Sequence, residues 1–263
     1  MMRNNIQFLA ETALLTHGLT TISNEELLQQ FPGDFDGLVW VEQGEIRTGN
    51  IVSYLSVRDR GAEFKRIDGN SLEEACQTGL SGALTASGAM AVAAKLGVPL
   101  VVTAGMGGID LINPERVSHD LAALASLPVS LIATAPKDML NLAATVKWLQ
   151  DHGVKVLGNG GDVCDGFVFL REQVKLSGRY SGTIPAKGGS LVLNPIPLEL
   201  RIGEQEILRQ AIARGEEARQ AGQLFHPAVN KCLDELTGGR SGQLQLQSFI
   251  SNIELALASE IKE

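Results

Sequence analysis

Residues 98–140 read VPLVVTAGMGGIDLINPERVSHDLAALASLPVSLIATAPKDML, and this stretch sets the fold class. Two short, nearly continuous apolar runs, 98–104 and 129–135, flank RVSHDLAALASL (116–127), whose leucines fall at helical spacing. Apolar residues without alternation indicate strands buried on both faces. A helix between two such strands returns the chain in the same direction, so the strands pair in parallel. The pattern extends outward. VKVLG (154–158) and GGSLVLNPIP (188–197) are further apolar runs, and DMLNLAATVKWLQDHG (138–153) is a helical segment that stops at His-Gly. Upstream, DGLVWVEQGEIRTGN (36–50) reads as two short strands around a tight turn at Gln43-Gly44. The expected architecture is α/β: a mostly parallel sheet covered by helices on both faces, in one domain over 1–263.

Beyond residue 197 the chain turns helical, in segments 203–222, 226–239 and 241–263. In the last, Leu246, Phe249, Ile250, Ile253, Leu257 and Ile261 form one apolar stripe, read as core or as a subunit contact. The glycine-rich stretch 158–189 has little periodicity. It is either a mobile cover over a site or a meandering surface segment.

Composition narrows the function classes. With 44% hydrophobic and 20% charged residues the chain has the make-up of a globular protein with a full core. A net charge of −8 argues against a nucleic-acid partner, which calls for a basic face. Cys76, Cys164 and Cys232 lie far apart and form no metal-like or redox-like pair, as expected in a reducing cytoplasm. The first eighteen residues lack the apolar run of a signal peptide, and no segment reaches membrane-spanning length. The expected location is the cytoplasm, with no membrane partner.

In sheets of this kind ligands bind where the strands end. VVTAGMGGID (101–110) carries glycines that let a ligand approach the backbone, but without a GxGxxG or P-loop pattern. TAPKDML places Lys137 after a strand. With a helix starting near Thr134, Lys137 falls in its first turn, where the macrodipole and apolar neighbours disfavour the charged amine. Two readings follow: a lysine reaching into solvent, or a nucleophile that forms a Schiff base with an aldehyde. In FLAETALLTHG (8–18), Glu11 interrupts an apolar run at a strand end, the position of a general acid or of an ordinary edge-strand glutamate. Ser118-His119-Asp120 are adjacent in sequence and cannot form a hydrolase triad.

Taken in order, these stretches resemble the pseudouridine-5′-phosphate glycosidase, or indigoidine synthase A-like, family. The family's E-x-x-x-x-x-H-G matches Glu11 to Gly18. Its T-x-A helix start matches GLSGALTASGAMAVAAKLG (79–97), and its glycine turn matches TAGMGGI. TAPKDMLN answers the lysine motif, NPIP stands intact at 194–197, and LTGG-x-S stands at 236–241, followed by Asn252 early in the terminal helix. The resemblance implies Lys137 as the Schiff-base nucleophile toward C1 of a ring-opened ribose, and Glu11 as proton donor. It implies substrate contacts at Arg66 (a lysine in the family), Ala86, Ser118, His119, Asp120 and Asn194. It also implies a sugar phosphate or nucleoside substrate and a homotrimer.

The chain departs from the family at specific points. The metal-binding aspartate is replaced by Arg116, so no manganese is expected there; a guanidinium cannot ligate a divalent ion but can itself supply positive charge. The family's H-R-G after the glycine turn becomes Asp110-Leu111. Its S-R-R-D phosphate region becomes part of KRIDGNS (65–71), and its S-A-D becomes Ser118-His119-Asp120. The segment 158–189 is shorter than its counterpart. The expected activity is therefore cleavage or formation of the C–C bond between ribose 5-phosphate and uracil, or in a related C-nucleoside. The alternative is an altered or inactive paralogue that binds a ligand or regulates.

Overall fold

The computed structural model describes residues 6–262. Ten strands make the central sheet: β1 (Leu9–Ala10), β2 (Leu38–Glu42), β3 (Glu45–Gly49), β4 (Lys65–Ile67), β5 (Gly82–Leu84), β6 (Leu100–Val102), β7 (Ser130–Ala133), β8 (Lys155–Gly158), β9 (Gly178–Arg179) and β10 (Ser190–Leu193). Their spatial order is β9-β8-β10-β7-β6-β1-β2-β5-β4, with β3 alongside β2. Every neighbour pair from β9 to β2 is parallel. Every residue of β6, β7 and β10 is buried, on both faces, which explains why their sequences do not alternate. The β2–β3 hairpin is antiparallel and turns at Gln43-Gly44, both with positive φ (51° and 79°), a tight turn that suits the twist of the strands.

The helices are α1 (Asn24–Gln30), α2 (Ile51–Arg58), α3 (Leu72–Gln77), α4 (Ala86–Leu96), α5 (His119–Ser126), α6 (Leu142–Asp151), α7 (Gln205–Gln220), α8 (Phe225–Thr237) and α9 (Arg240–Ala258). The α4 helix starts on Thr85, whose hydroxyl accepts from the Gly88 amide, and stops at Gly97 in the left-handed region (φ 71°). A side chain at Gly88 would stand 2.6 Å from the Ile67 carbonyl, so glycine there lets α4 lie close against β4.

Three sequence expectations change. The helix after β7 starts at Leu142, capped by the Asn141 side chain, rather than near Thr134. Pro136 therefore lies in extended backbone, and Lys137 follows it in a turn. The terminal stripe breaks after Ile253: Leu257 is exposed, and Ile261 sits in a strand (Glu260–Lys262) paired in parallel with Thr183–Pro185. The buried part, Leu246, Phe249 and Ile253, is core. Finally, 158–189 is organised by short strands, Val163–Cys164 against Val174–Lys175, then β9, then Thr183–Pro185.

The sheet ladder runs past its last strand residues. The Glu11 amide donates to the Val102 carbonyl, Thr103 to Ile132, Thr134 to Ala104, and Asn194 to Ala133. Four polar side chains thereby stand together at the carboxyl edge of the central strands.

Candidate active site

A cavity of about 140 Å³ opens at that edge. Glu11, Arg66, Asp68, His119, Asp120, Lys137 and His226 bring the ionisable groups to its wall. Arg66 also borders a larger cleft of about 890 Å³, whose lining includes neither Lys137 nor Glu11.

Lys137 is held by its backbone. The extended pair Ala135–Pro136 lies parallel to Gly105–Met106, the Lys137 amide donates to the Met106 carbonyl at 3.0 Å, and the Leu140 amide closes the turn on the Lys137 carbonyl at 2.9 Å. The next residue, Asp138, is buried and accepts from the amides of Phe167, Val168 and Phe169 at 2.8, 2.8 and 3.0 Å. Burial nevertheless pushes its carboxyl up to about 6, against the pull of those amides. The segment 158–189 thus anchors the lysine turn from behind, and none of it lines the cavity; it does not cover this site.

Burial depresses the Lys137 amine below the usual lysine range, and Arg66 adds to the effect, while Glu11 and Asp120 oppose it. The helix dipole inferred from sequence plays no part, because no helix starts there. Burial likewise raises the Glu11 carboxyl, against the pull of Lys137, the Thr103 hydroxyl and Arg66. Glu11 is 5% exposed and accepts from Thr103 Oγ1 at 2.6 Å. Both groups are biased toward their neutral forms, an amine able to attack and a carboxyl able to give a proton.

Asp120 closes the floor. Its two oxygens accept from the Ser87 amide (2.9 Å), at the start of α4, and from the Gly107 amide (2.7 Å). A side chain at Gly107 would lie 2.0 Å from Ser118 Oγ, so this close approach needs glycine. Ser118 caps α5, and His119 Nδ1 meets Asp68 Oδ2 at 2.8 Å. Ala86, the first residue of α4, also lines the wall.

Of the residues singled out from sequence, Glu11, Arg66, Ala86, Ser118, His119, Asp120 and Lys137 converge on this cavity. Asn194 does not. Its amide donates to Ser251 Oγ and Asn252 Oδ1 and accepts from Asn159, so it serves a chain of amides beneath the site. Asn252, fully buried, passes that chain on to the Thr103 carbonyl (2.8 Å) and Thr134 Oγ1 (3.1 Å). It ties together the ends of β6 and β7, beside the acid and the lysine. Arg116 is exposed in the 110–117 loop and absent from the wall, so it supplies no charge to this cavity.

The profile of the family described as indigoidine synthase A like protein matches residues 9–261. The chain belongs to this family. Among its relatives, pseudouridine-5′-phosphate glycosidase 2 of Photorhabdus laumondii is 26% identical, over 97% of this chain and 90% of the relative. The pseudouridine-5′-phosphate glycosidase of Paracoccus denitrificans is 28% identical, over 94% and 89%. Two solved structures share the fold at 21% identity, each covering 95% of this chain and 90% of the other. They are an indigoidine synthase A-like protein of Thermotoga maritima (TM-score 0.77) and the prealnumycin C-glycosynthase AlnA in complex with ribulose 5-phosphate (TM-score 0.74).

This member of the indigoidine synthase A-like family carries site residues that its sequence did not flag. His226, in the first turn of α8, lines the cavity; its Nδ1 is buried with no hydrogen-bond partner among the described residues, and burial, Lys137 and Arg66 push it down to about 3. Only a His-Pro pair opening a helix marks it in the sequence. Asp110, where the family has histidine, is not in the wall; it pairs with Arg219 Nη2 at 2.8 Å. Thr103 carried no signal beyond its place at a strand end, and Asp68 none beyond its place after β4 in the altered 65–71 segment.

Proposed function

We propose that this protein is an enzyme that breaks, or in reverse forms, the C–C bond between a ribosyl group and a nucleobase or similar ring. Pseudouridine 5′-phosphate is the leading substrate, through an imine between Lys137 and sugar C1. The observation that carries the reading is one cavity in which Lys137 and Glu11 are each driven toward neutrality, at the carboxyl ends of β1 and β7. A C-glycoside has no heteroatom leaving group. An amine that adds to C1 converts the scission into a step whose electrons the departing ring accepts, leaving an iminium on the lysine. Glu11 protonates the sugar ring oxygen and so opens the ring for that attack. The names of the curated relatives, and the sugar phosphate bound by AlnA, support the substrate class.

The divalent ion associated with this family does not fit here. Arg116 stands at the ligand position, and among the described residues no three His, Cys, Asp or Glu side chains are grouped to hold a metal. The proposed reaction therefore takes its positive charge from Arg66; a divalent ion bound beside Arg116 would contradict this. No helix among the described residues is long and apolar enough to cross a membrane. The reading extends to one domain over 1–263, a cytoplasmic location and a homotrimer, the last measurable by sedimentation.

The test is reductive trapping. Incubation with ribose 5-phosphate and borohydride should add one sugar to Lys137, and Lys137→Met should abolish the adduct. A folded protein that gives no adduct with any aldehyde sugar would leave a ligand-binding paralogue instead.

A further inference from the structure

His119 and Asp68 form a second functional pair in the same cavity. Both residues line it, and both stand where this chain departs from its family: His119 in place of the alanine of S-A-D, Asp68 in the rewritten 65–71 segment. The Asp68 carboxylate is fixed before it meets the histidine. Its Oδ1 accepts from the Asn70 amide (3.0 Å), the Ser71 amide (2.9 Å) and Ser71 Oγ (3.0 Å), which leaves Oδ2 for His119 Nδ1 at 2.8 Å. A carboxylate on Nδ1 sets the ring orientation and leaves Nε2 as the working nitrogen. The imidazole is 48% exposed, so it touches bulk water as well as the cavity. The other ionisable groups of the wall are committed or unsuited. Asp120 is bound to two amides, Arg66 is a guanidinium with donors only, Lys137 is the nucleophile, Glu11 is buried, and the buried Nδ1 of His226 has no partner among the described residues to orient its ring.

We propose that His119, positioned by Asp68, moves the protons that make and hydrolyse the Lys137 imine. In hydrolysis, water adds to C1 of the iminium and gives its proton to His119 Nε2, leaving a neutral carbinolamine. His119 returns that proton to Nζ. The C1–N bond breaks, its electrons go to nitrogen, and C1 becomes the carbonyl as its hydroxyl proton passes to His119. Iminium and water thus become aldehyde, free amine and one proton, which leaves to solvent from the exposed side of the ring. Imine formation is the same path reversed. Asp68 acts through His119 and is a positioning residue.

This inference rests on the Lys137 imine, and the test separates the two. Each cycle of imine formation and hydrolysis replaces the C1 oxygen of ribose 5-phosphate with oxygen from water, so mass spectrometry in heavy-oxygen water reads the step directly. The full chain should exchange oxygen above the uncatalysed rate. His119→Ala should still reach the borohydride adduct on long incubation but form it more slowly, exchange about a hundredfold more slowly, and recover with added imidazole, for which the exposed position leaves room. Asp68→Asn should slow exchange in the same direction. Unchanged exchange in His119→Ala, or a loss that imidazole does not restore, overturns this role while the imine stands. Neither adduct nor exchange in the unmodified protein overturns both.

Discussion

The bond between Thr103 Oγ1 and Glu11 tests the acid directly. Thr103 is fully buried and its hydroxyl lies 2.6 Å from Oε1. Thr103→Val keeps the shape and removes the donor. A hydrogen bond to a buried carboxylate contributes about 1.5–3 kcal/mol to the charged form, and about 1.4 kcal/mol corresponds to one pKa unit. The protonated carboxyl loses less, so Glu11, already raised by burial, should rise further. A proton donor works while it holds its proton, so the alkaline limb of the pH profile should move up. A more fully neutral Glu11 also withdraws negative charge from beside Lys137, whose amine then sheds its proton at lower pH, so the acid limb should move down. The plateau widens on both sides. The assay is the rate of Lys137 adduct formation with ribose 5-phosphate across pH, for both proteins, with a thermal melt to show a stability cost near 1 kcal/mol. An alkaline limb that stays put or moves down would refute the assignment of Glu11 as the acid.

Other outcomes follow from neighbouring groups. Asn252→Ala strips partners from the Thr103 carbonyl, Thr134 and Asn194 in a fully buried place, and should cost about 3 kcal/mol, seen as a Tm lower by roughly 6–12 °C. Asp138 holds its proton more tightly folded (about 6) than unfolded (3.8). Its contribution to stability is therefore full below the unfolded value and lost as pH rises through about 6. Over that window the stability of wild type relative to Asp138→Asn should fall by about 3 kcal/mol, as denaturant titration would show. His226 should remain neutral across the working range, protonating only near 3; an imidazole resonance that titrates near 6 would contradict its placement.

The core strands were legible because period and composition act locally. A strand buried on both faces must be apolar at every position, so 98–104 and 129–135 announced themselves, and the turn at Gln43-Gly44 followed from the backbone freedom of glycine. Family motifs carried the order of Glu11, Thr85-Ala86, Lys137 and Asn252 along the chain. Local rules also misled: Pro136 suits the first turn of a helix, which put the helix start near Thr134, eight residues early, and the pairing of Ala135–Pro136 with Gly105–Met106 decided otherwise. Ile261 fitted a helical stripe until the strand at Thr183–Pro185 captured it.

Sequence alone thus determined a parallel α/β sheet, a lysine and a glutamate at strand ends, and an arginine at position 116. Only the tertiary structure decided what those groups are. The depressed amine and raised carboxyl come from burial beside Arg66 and Thr103. The removal of Asn194 from the cavity comes from its amide chain to Asn252, and the pairing of His119 with Asp68 joins residues 51 apart. Hydrophobic periodicity is a property of neighbours along the chain, whereas desolvation and charge coupling depend on distances that exist only once the sheet has assembled.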